Sequence, residues 1–206
     1  MLHSLFQYTA FCIKQKKGAC VLSDYILELK NISKSFPGVK ALDQVQFSLK
    51  PGEIHALVGE NGAGKSTFIK IITGVHRQDE GEIYLNGQQV EIKDPNEAQK
   101  MGIAAIYQHV TCYPDLSVTE NIFMGHEKIK RFSKRIMWEE MHSEAQKLLE
   151  NLGADIDPRS QMGALSVAQQ QIVEIAKALS LNAKIIIMDE PTAALTKKES
   201  EELYRI

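Results

Sequence analysis

Apolar and polar residues alternate through the first patterned part of the chain. The alternation covers residues 25–50, in YILELKNISKSF and LDQVQFSLK, and ends at Pro51 and Gly52. A period of two predicts half-buried, antiparallel strands. The segment EIYLNGQQVEI alternates in the same way around Asn86 and Gly87, a pair that favours a two-residue hairpin. The pattern therefore predicts a β-rich layer.

Three short segments are almost continuously apolar instead: IHALV at 54–58, IAAIYQ at 103–108 and KIIIMDE at 184–190. Such runs are typical of strands buried in a parallel sheet. A glycine-rich loop follows the first of them, and KSTFIKIITG then has helical spacing up to Gly74. The order strand, loop, helix predicts an α/β core with at least three parallel strands.

The pattern becomes helical between residues 116 and 180. One helix is predicted from apolar residues spaced by three and four before Gly153. These residues are Trp138, Met141, Ala145, Leu148, Leu149 and Leu152. A shorter helix is predicted between Asp94 and Gly102 from its capping residues. The coarse result is a helical insertion between two strands of the core.

Composition describes an ordinary globular chain of 206 residues, with 44% hydrophobic residues, 24% charged residues and a formal net charge of -2. This charge does not favour nucleic acid or an anionic membrane surface. Cys12, Cys20 and Cys112 are odd in number and form no C-x-x-C pair, which argues against a disulfide framework or zinc site and favours a reducing cytosol. No apolar run reaches the roughly eighteen residues of a membrane span.

The first 24 residues carry no pattern of their own. Their basic residues follow the apolar stretch, which is the reverse of a signal peptide. We expect residues 1–24 to be a disordered leader. Our hypothesis is that the natural start lies near Val21 or Leu22, because patterned sequence begins only at Tyr25. Recovery of residues 1–20 from native protein by N-terminal mass spectrometry would contradict it.

The segment LVGENGAGKST contains a phosphate-loop pattern that begins at Gly59, with a strand before it and a helix after it. Gly62 and Gly64 let successive backbone N–H groups point inward at an anion, and the helix that opens at Lys65 adds its positive end. Lys65 is expected to reach the outer phosphates and Ser66 to hold magnesium. A plain strand-to-helix turn is the alternative, which the Lys-Ser-Thr offset disfavours. The loop predicts a nucleoside triphosphate site.

Two carboxylates end the last apolar strand. Asp189 is expected to emerge at the carboxyl edge of the sheet, beside the phosphate loop, as a second magnesium anchor. Glu190, one residue further on, is expected to point differently and to be free to act as the base or the polariser of an attacking water. The alternative for both is an acidic strand end that faces solvent. Gln108 ends another strand, where a glutamine by itself is usually only solvated.

A capping box is predicted at Ser166 and Gln169, ahead of a helical apolar face that includes Ile172 and Ala176. A helix therefore begins at Ser166. Its first turn offers N–H groups and a hydroxyl, which is chemically a second phosphate site. An ordinary helix cap is the simpler interpretation of these residues taken alone.

The segments GENGAGKST, Gln108, LSVAQQQ and IIIMDEPTAAL, in this order, resemble the nucleotide-binding domain of ATP-binding-cassette (ABC) transporters. The resemblance covers residues 25–206. It implies an α/β fold of the P-loop NTPase type: a RecA-like parallel-sheet core, an antiparallel β subdomain and an inserted α-helical subdomain at about 116–180. It also implies a domain incomplete at its C-terminus, because the switch histidine would lie beyond Ile206 and none of the six histidines present suits that role.

The resemblance assigns roles to single residues. Phe36 matches the aromatic that stacks on adenine, although a core or surface phenylalanine is the alternative. Gln108 matches a residue that contacts magnesium and couples to membrane subunits, and Ser166 matches one that closes on ATP held by an opposing domain in a head-to-tail dimer. The implied catalytic residues are Glu190, Lys65 and Gln108, and the implied metal ligands are Ser66, Gln108 and Asp189. The implied nucleotide-binding residues are Phe36, Gly59, Asn61, Gly62, Ala63, Gly64, Lys65, Ser66, Thr67, Ser166 and Gln169.

Two departures from the family pattern narrow the resemblance. Val167 and Ala168 replace the two glycines of the usual signature, and Thr196 replaces an aspartate. Both changes resemble the first cassette of double-cassette importers for ribose, xylose, galactose and related monosaccharides. The implied function is ATP hydrolysis, with ATP and Mg²⁺, that energises monosaccharide import. The implied partners are membrane-spanning permease subunits and a second cassette, either in the same full-length chain or in another copy. A periplasmic or extracellular sugar-binding protein is an indirect partner, and no nucleic acid is implied. The implied location is peripheral, at the cytoplasmic face of the cell membrane.

Two other functions are considered. Soluble ABC-type ATPases that act on ribosomes or DNA usually keep the signature glycines that Val167 and Ala168 replace. A phosphate-loop kinase or GTPase outside the family leaves Gln108 and the helix at Ser166 unexplained, and the chain has no Asn-Lys-x-Asp motif. We also expect residues 1–206 alone to bind ATP weakly and hydrolyse little of it.

Overall fold

The structure is a computed structural model that describes residues 24–107, residues 112–189, Lys197 and the backbone of residues 7–13. The chain forms two compact units. The sheet unit comprises Met1–Ala105 and Ala183–Glu190, and the helical unit comprises Ile106–Asn182 and Pro191–Ile206.

An antiparallel sheet in the sheet unit confirms the predicted β-rich layer. Along the chain its strands are β2 (Leu27–Phe36), β3 (Val39–Leu49), β5 (Glu80–Leu85) and β6 (Gln88–Val90). Their order across the sheet is β3-β2-β5-β6, and each neighbouring pair is antiparallel. Asn86 and Gly87 join β5 to β6 with φ of 51° and 78°, the conformation that favours this pair in two-residue hairpins.

A second sheet contains the three predicted core strands and one that was not predicted. Its members are β4 (His55–Gly59), β1 (Gln7–Ile13), β8 (Ile185–Asp189) and β7 (Ile103–Ile106), in that order across the sheet. β1 is antiparallel to both β4 and β8, so those two strands run in the same direction. The backbone amides of Lys184 and Ile185 both donate to the carbonyl of Gly102, so β7 and β8 begin at the same end.

β1 corrects the expectation of disorder for residues 7–13. The strand pairs from Gln7 opposite Gly59 to Ile13 opposite Ile185. This pairing gives hydrogen-bond partners to the facing edges of β4 and β8, whose backbone groups would otherwise have to find others. Residues 1–6 and 14–23 lie outside the described part of the chain.

The core of the sheet unit lies between the antiparallel sheet and α1 (Lys65–Ile72), with α2 (Pro95–Lys100) beside it. Its fully buried members include Leu27, Leu29, Ile32, Leu49, Ile69, Ile71, Ile72 and Ile83. β4 is less buried than its apolar sequence predicts: Leu57 packs against this core, whereas Ala56 and Val58, on the other face, are exposed. An apolar run is buried on both faces only where other elements cover both faces.

The helical unit contains α3 (Val118–Phe123), α4 (Trp138–Asn151) and α5 (Val167–Ser180). α4 is the predicted amphipathic helix, with Met141, Ala145 and Leu149 buried and Gly153 just beyond its end at φ 70°. α3 was not predicted, although Ser117 and Glu120 form a capping box at its N-terminus. No helix within the described ranges is both long and apolar enough to cross a membrane.

Candidate nucleotide-binding site

The predicted phosphate loop connects β4 to α1 through a tight turn. The amide of Ala63 donates to the carbonyl of Glu60 across 3.1 Å. Gly62 within this turn and Gly64 just after it have φ of 84° and 88°, a left-handed conformation that side-chain-bearing residues avoid. The glycines are therefore needed for the path by which the backbone enters α1.

The N-terminus of α1 is suited to an anion. Its N-cap is Gly64, which has no side chain to accept from the first-turn amides, and no acidic residue lies in the first turn. Those amides carry the positive end of the helix dipole, so they are donors for a phosphate group. Ser66 is exposed and Thr67 is half-buried in this turn, while Asn61 is exposed in the loop before it.

Lys65 lies folded over the loop. Its side chain is buried, and its ammonium donates to the carbonyl oxygens of Gly59 at 2.6 Å and Glu60 at 2.9 Å. Both acceptors are neutral, so a phosphate oxygen that carries full negative charge is a stronger partner for this donor. The ammonium is thus held at the loop by bonds that a phosphate can replace.

The ends of β4 and β8 lie at the same edge of their sheet. Gln7 of β1 pairs with Gly59, and Thr9, two residues further, pairs with Asp189. Because one strand separates β4 from β8, their axes are about 10 Å apart. The half-buried Asp189 therefore belongs to the edge from which the phosphate loop leaves.

The oxygen donors predicted for magnesium suit a hard cation. Ser66 offers a hydroxyl and Asp189 a carboxylate, and Mg²⁺ is bound by such oxygen ligands together with substrate phosphates. These residue types therefore fit the ion. Gln108 and Glu190, the remaining predicted ligand and the predicted base, lie outside the described residues, as does Thr196.

Phe36 is at the tip of the β2–β3 hairpin, where it pairs with Val39 around Pro37 and Gly38. Its ring is half-buried. The hairpin passes close to the phosphate loop, since Ala41 of β3 packs against Gly64. Val39 is two residues from Ala41, or about 7 Å along the strand.

Two further side chains surround the Phe36 ring, and sequence reasoning missed both. The His76 ring meets it edge-on, with centroids 5.4 Å apart and an interplanar angle of 66°. The Lys34 ammonium lies over it, 5.7 Å from the centroid. His76 is forty residues from Phe36 and stands in no motif, so only the tertiary structure reveals this contact.

Asp79 fixes Lys34 in this position. Its carboxylate accepts from the Lys34 ammonium at 2.6 Å and from the backbone amide of Ser35 at 2.7 Å. The hydrogen bond from Lys34, followed by that from Ser35, lowers the pKa of Asp79 below its ordinary value. The carboxylate therefore remains charged at neutral pH and holds the end of β2.

The capping box predicted at Ser166 is confirmed in the helical unit. The amide of Gln169 donates to Ser166 Oγ at 3.3 Å, and the amide of Ser166 donates to Gln169 Oε1 at 3.0 Å. Ser166 and Val167 are exposed, whereas Ala168 is buried. Ser166 thus serves as a helix cap, and its hydroxyl remains at the surface.

A comparison with protein families decides the classification. The family described as ABC transporter matches residues 42–193 of the chain. The chain belongs to this family.

Relatives of this ABC chain carry sugar-import names. It is 51% identical over 187 residues to the xylose import ATP-binding protein XylG of Geobacillus kaustophilus, with 90% of the chain and 37% of the relative covered. It is also 51% identical over 181 residues to the ribose import ATP-binding protein RbsA 1 of Rubrobacter xylanophilus, with 88% and 36% covered. The chain therefore spans little more than a third of the length of these relatives.

Solved ABC cassettes have the same fold. An ATP-binding cassette of an ABC transporter in its ADP conformation superposes with a TM-score of 0.71 at 30% sequence identity, covering 89% of this chain and 75% of that one. The predicted fold class is confirmed by this likeness. β1, α3 and the exposed face of β4 are features of the fold that the sequence did not predict.

Proposed function

We propose that the chain is the ATP-binding and ATP-hydrolysing part of a subunit that energises monosaccharide import by an ABC transporter. The observation that carries the proposal is the phosphate loop with Lys65 bonded across it, at the sheet edge that also ends in Asp189. Family membership and the sugar-import relatives support the same function.

Binding begins with the phosphates of ATP. Backbone amides of the loop and of the first turn of α1 donate to the phosphate oxygens, and the positive φ at Gly62 and Gly64 turns the loop for this purpose. Lys65 exchanges its two carbonyl acceptors for oxygens of the β- and γ-phosphates. The adenine then lies within reach of Phe36 at the hairpin tip.

Hydrolysis needs a group that removes a proton from water. Glu190 accepts this proton while the water oxygen bonds to the γ-phosphorus and the bond from that phosphorus to the bridging oxygen of ADP breaks. Ser66, Asp189 and Gln108 would hold Mg²⁺, which when bound neutralises part of the phosphate charge. Lys65 supplies a further positive charge to the same oxygens.

In this proposal, residues from two cassettes form each ATP site. The exposed Ser166 of a second cassette closes on ATP held by the loop of the first, so two sites form in a head-to-tail pair. Gln108 passes the resulting movement to membrane-spanning permease subunits, which receive the sugar from a separate binding protein. The cassette then works peripherally at the cytoplasmic face of the membrane.

The alternative of a soluble ABC-type ATPase that acts on ribosomes or DNA receives no support from the relatives, which are import proteins. A kinase or GTPase outside the ABC family is excluded by the family match.

Titration of the protein with ATP tests the phosphate site. Lys65→Ala should raise the dissociation constant for ATP at least tenfold, because the loop loses its charge-assisted donor. Lys70→Ala is the matched control, since Lys70 is exposed at the other end of the same helix. Equal affinities in the two variants would contradict the proposed site.

A further inference from the structure

The end of α1 places an imidazole ring next to Phe36. α1 is followed by Gly74, whose φ of 73° turns the chain out of the helix. The amide of His76 then donates to the carbonyl of Lys70 at 2.9 Å. This bond ties the backbone of His76 to the last turn of the helix whose first turn belongs to the phosphate loop. The backbone from which the imidazole extends is therefore tied to the same helix as that loop.

The strand that leads to the hairpin tip is held by Asp79. The amide of Asp79 donates to the carbonyl of Ser33 at 2.9 Å, in addition to the bonds that its carboxylate accepts from Lys34 and Ser35. The strand that ends at Phe36 is thus fixed at three successive residues. These bonds hold the backbone that leads to Phe36, but they do not fix its side-chain torsions.

His76 contacts the ring that those torsions move. Its ring packs at 66° against Phe36, in the edge-to-face geometry that aromatic rings prefer. A phenylalanine at an uncovered hairpin tip would lose rotamer freedom each time it stacked on a ligand, and that loss would weaken binding. A ring already held in one orientation avoids most of this cost.

We propose that His76 is a positioning residue for the nucleobase, which acts by holding the Phe36 ring ready to stack on the purine of ATP. The inference rests on the proposed function, because it requires ATP in the phosphate loop. It adds to that function a residue that affects ATP binding by contacting Phe36, without contacting the phosphates.

Comparison of ATP with inorganic triphosphate separates the two effects. Both ligands fill the phosphate loop, and only ATP carries adenosine, so the ratio of their dissociation constants reports the contribution of the base and ribose. A change in that ratio at Phe36 or His76, which contact each other, then reports on the base. The complete protein is titrated with each ligand by calorimetry. His76→Ala should reduce the preference for ATP about three- to tenfold, the range that corresponds to one aromatic contact. Affinity for inorganic triphosphate should not change.

His76→Phe and His55→Ala are the controls. His76→Phe keeps a ring against Phe36 and should restore most of the preference for ATP. His55 makes the same kind of contact with Phe47, with centroids 4.9 Å apart and an angle of 72°, so His55→Ala removes a similar packing contact away from Phe36. It should leave the preference unchanged. His76→Leu replaces His76→Ala if the alanine variant does not fold.

The outcomes distinguish this inference from the proposed function. If Phe36→Ala lowers the preference for ATP and His76→Ala does not, the positioning role is wrong and the adenine contact stands. If Phe36→Ala leaves the preference for ATP unchanged, the base does not stack on Phe36. The adenine contact and the positioning role of His76 are then both wrong. If Lys65→Ala alters the affinity for neither ligand, the phosphate site itself is wrong.

Discussion

Gly64 packs so closely against Ala41 that a Cβ on this glycine would overlap the Ala41 carbonyl oxygen and stand 2.9 Å from Leu42 Cδ2. Gly62 has a similar φ, but a Cβ there would meet nothing within 4 Å. Gly62 and Gly64 are therefore required for different reasons. Gly62 is required for its left-handed backbone conformation. Gly64 is required for that conformation and also because no side chain fits beside Ala41.

Alanine at these glycines should separate the two requirements. Gly62→Ala should lower the free energy of unfolding by about 1–2 kcal/mol, the cost of a left-handed conformation for a residue with a side chain. Gly64→Ala adds a clash with the backbone of β3 and should cost about 3 kcal/mol or more in total. Urea denaturation measures the free energy of unfolding of both variants. Equal losses of this free energy would show that the contact of Gly64 with Ala41 is unimportant.

The two capping boxes of the helical unit allow a second test. Ser117 and Ser166 each accept from the amide three residues on, so replacement of either by alanine should cost about 1 kcal/mol of stability. Only Ser166→Ala should also reduce ATP hydrolysis by the complete protein, because the proposed function places Ser166 against ATP. If Ser117→Ala and Ser166→Ala changed the rate of ATP hydrolysis equally, Ser166 would act only as a helix cap and not at the ATP site.

Acidification tests the pair of Asp79 and Lys34. The pKa of Asp79 is lowered in the folded protein by the hydrogen bond from Lys34 and then by that from Ser35. Its contribution to stability is therefore present above the ordinary aspartate pKa of about 4 and is lost as the pH falls through the lowered value. Melting temperatures at pH 7 and pH 3 should differ slightly less in Asp79→Asn than in the wild type. The control is Asp155→Asn, which removes an exposed carboxylate of the helical unit; a wild-type pH dependence in Asp79→Asn would contradict the assignment.

Local signals predicted much of the fold. The Asn86-Gly87 turn, the capping box at Ser166 and the glycine after α4 each act within a few residues, so the sequence alone reveals them. The phosphate loop belongs to the same class, because its lysine and glycines stand at fixed offsets between a strand and a helix.

The features that were missed depend on distant parts of the chain. β1 pairs with strands that begin 42 or more positions after its last residue, and no local pattern specifies those partners. The exposure of Val58 depends on which elements cover β4, and the contact of His76 with Phe36 depends on where α1 ends relative to a hairpin. Sequence patterns indicate whether a residue favours a buried or an exposed position, but they do not indicate which distant part of the chain packs against it.

Sugar uptake by cells tests the central claim most directly. The complete gene should carry either Glu190→Gln or, as a control, Glu150→Gln in the exposed part of α4, with labelled ribose, xylose and galactose supplied in turn. The account predicts that uptake of at least one sugar falls to background with Glu190→Gln, while the purified variant still binds ATP and the control transports normally. Undiminished uptake of all three sugars with Glu190→Gln would contradict it.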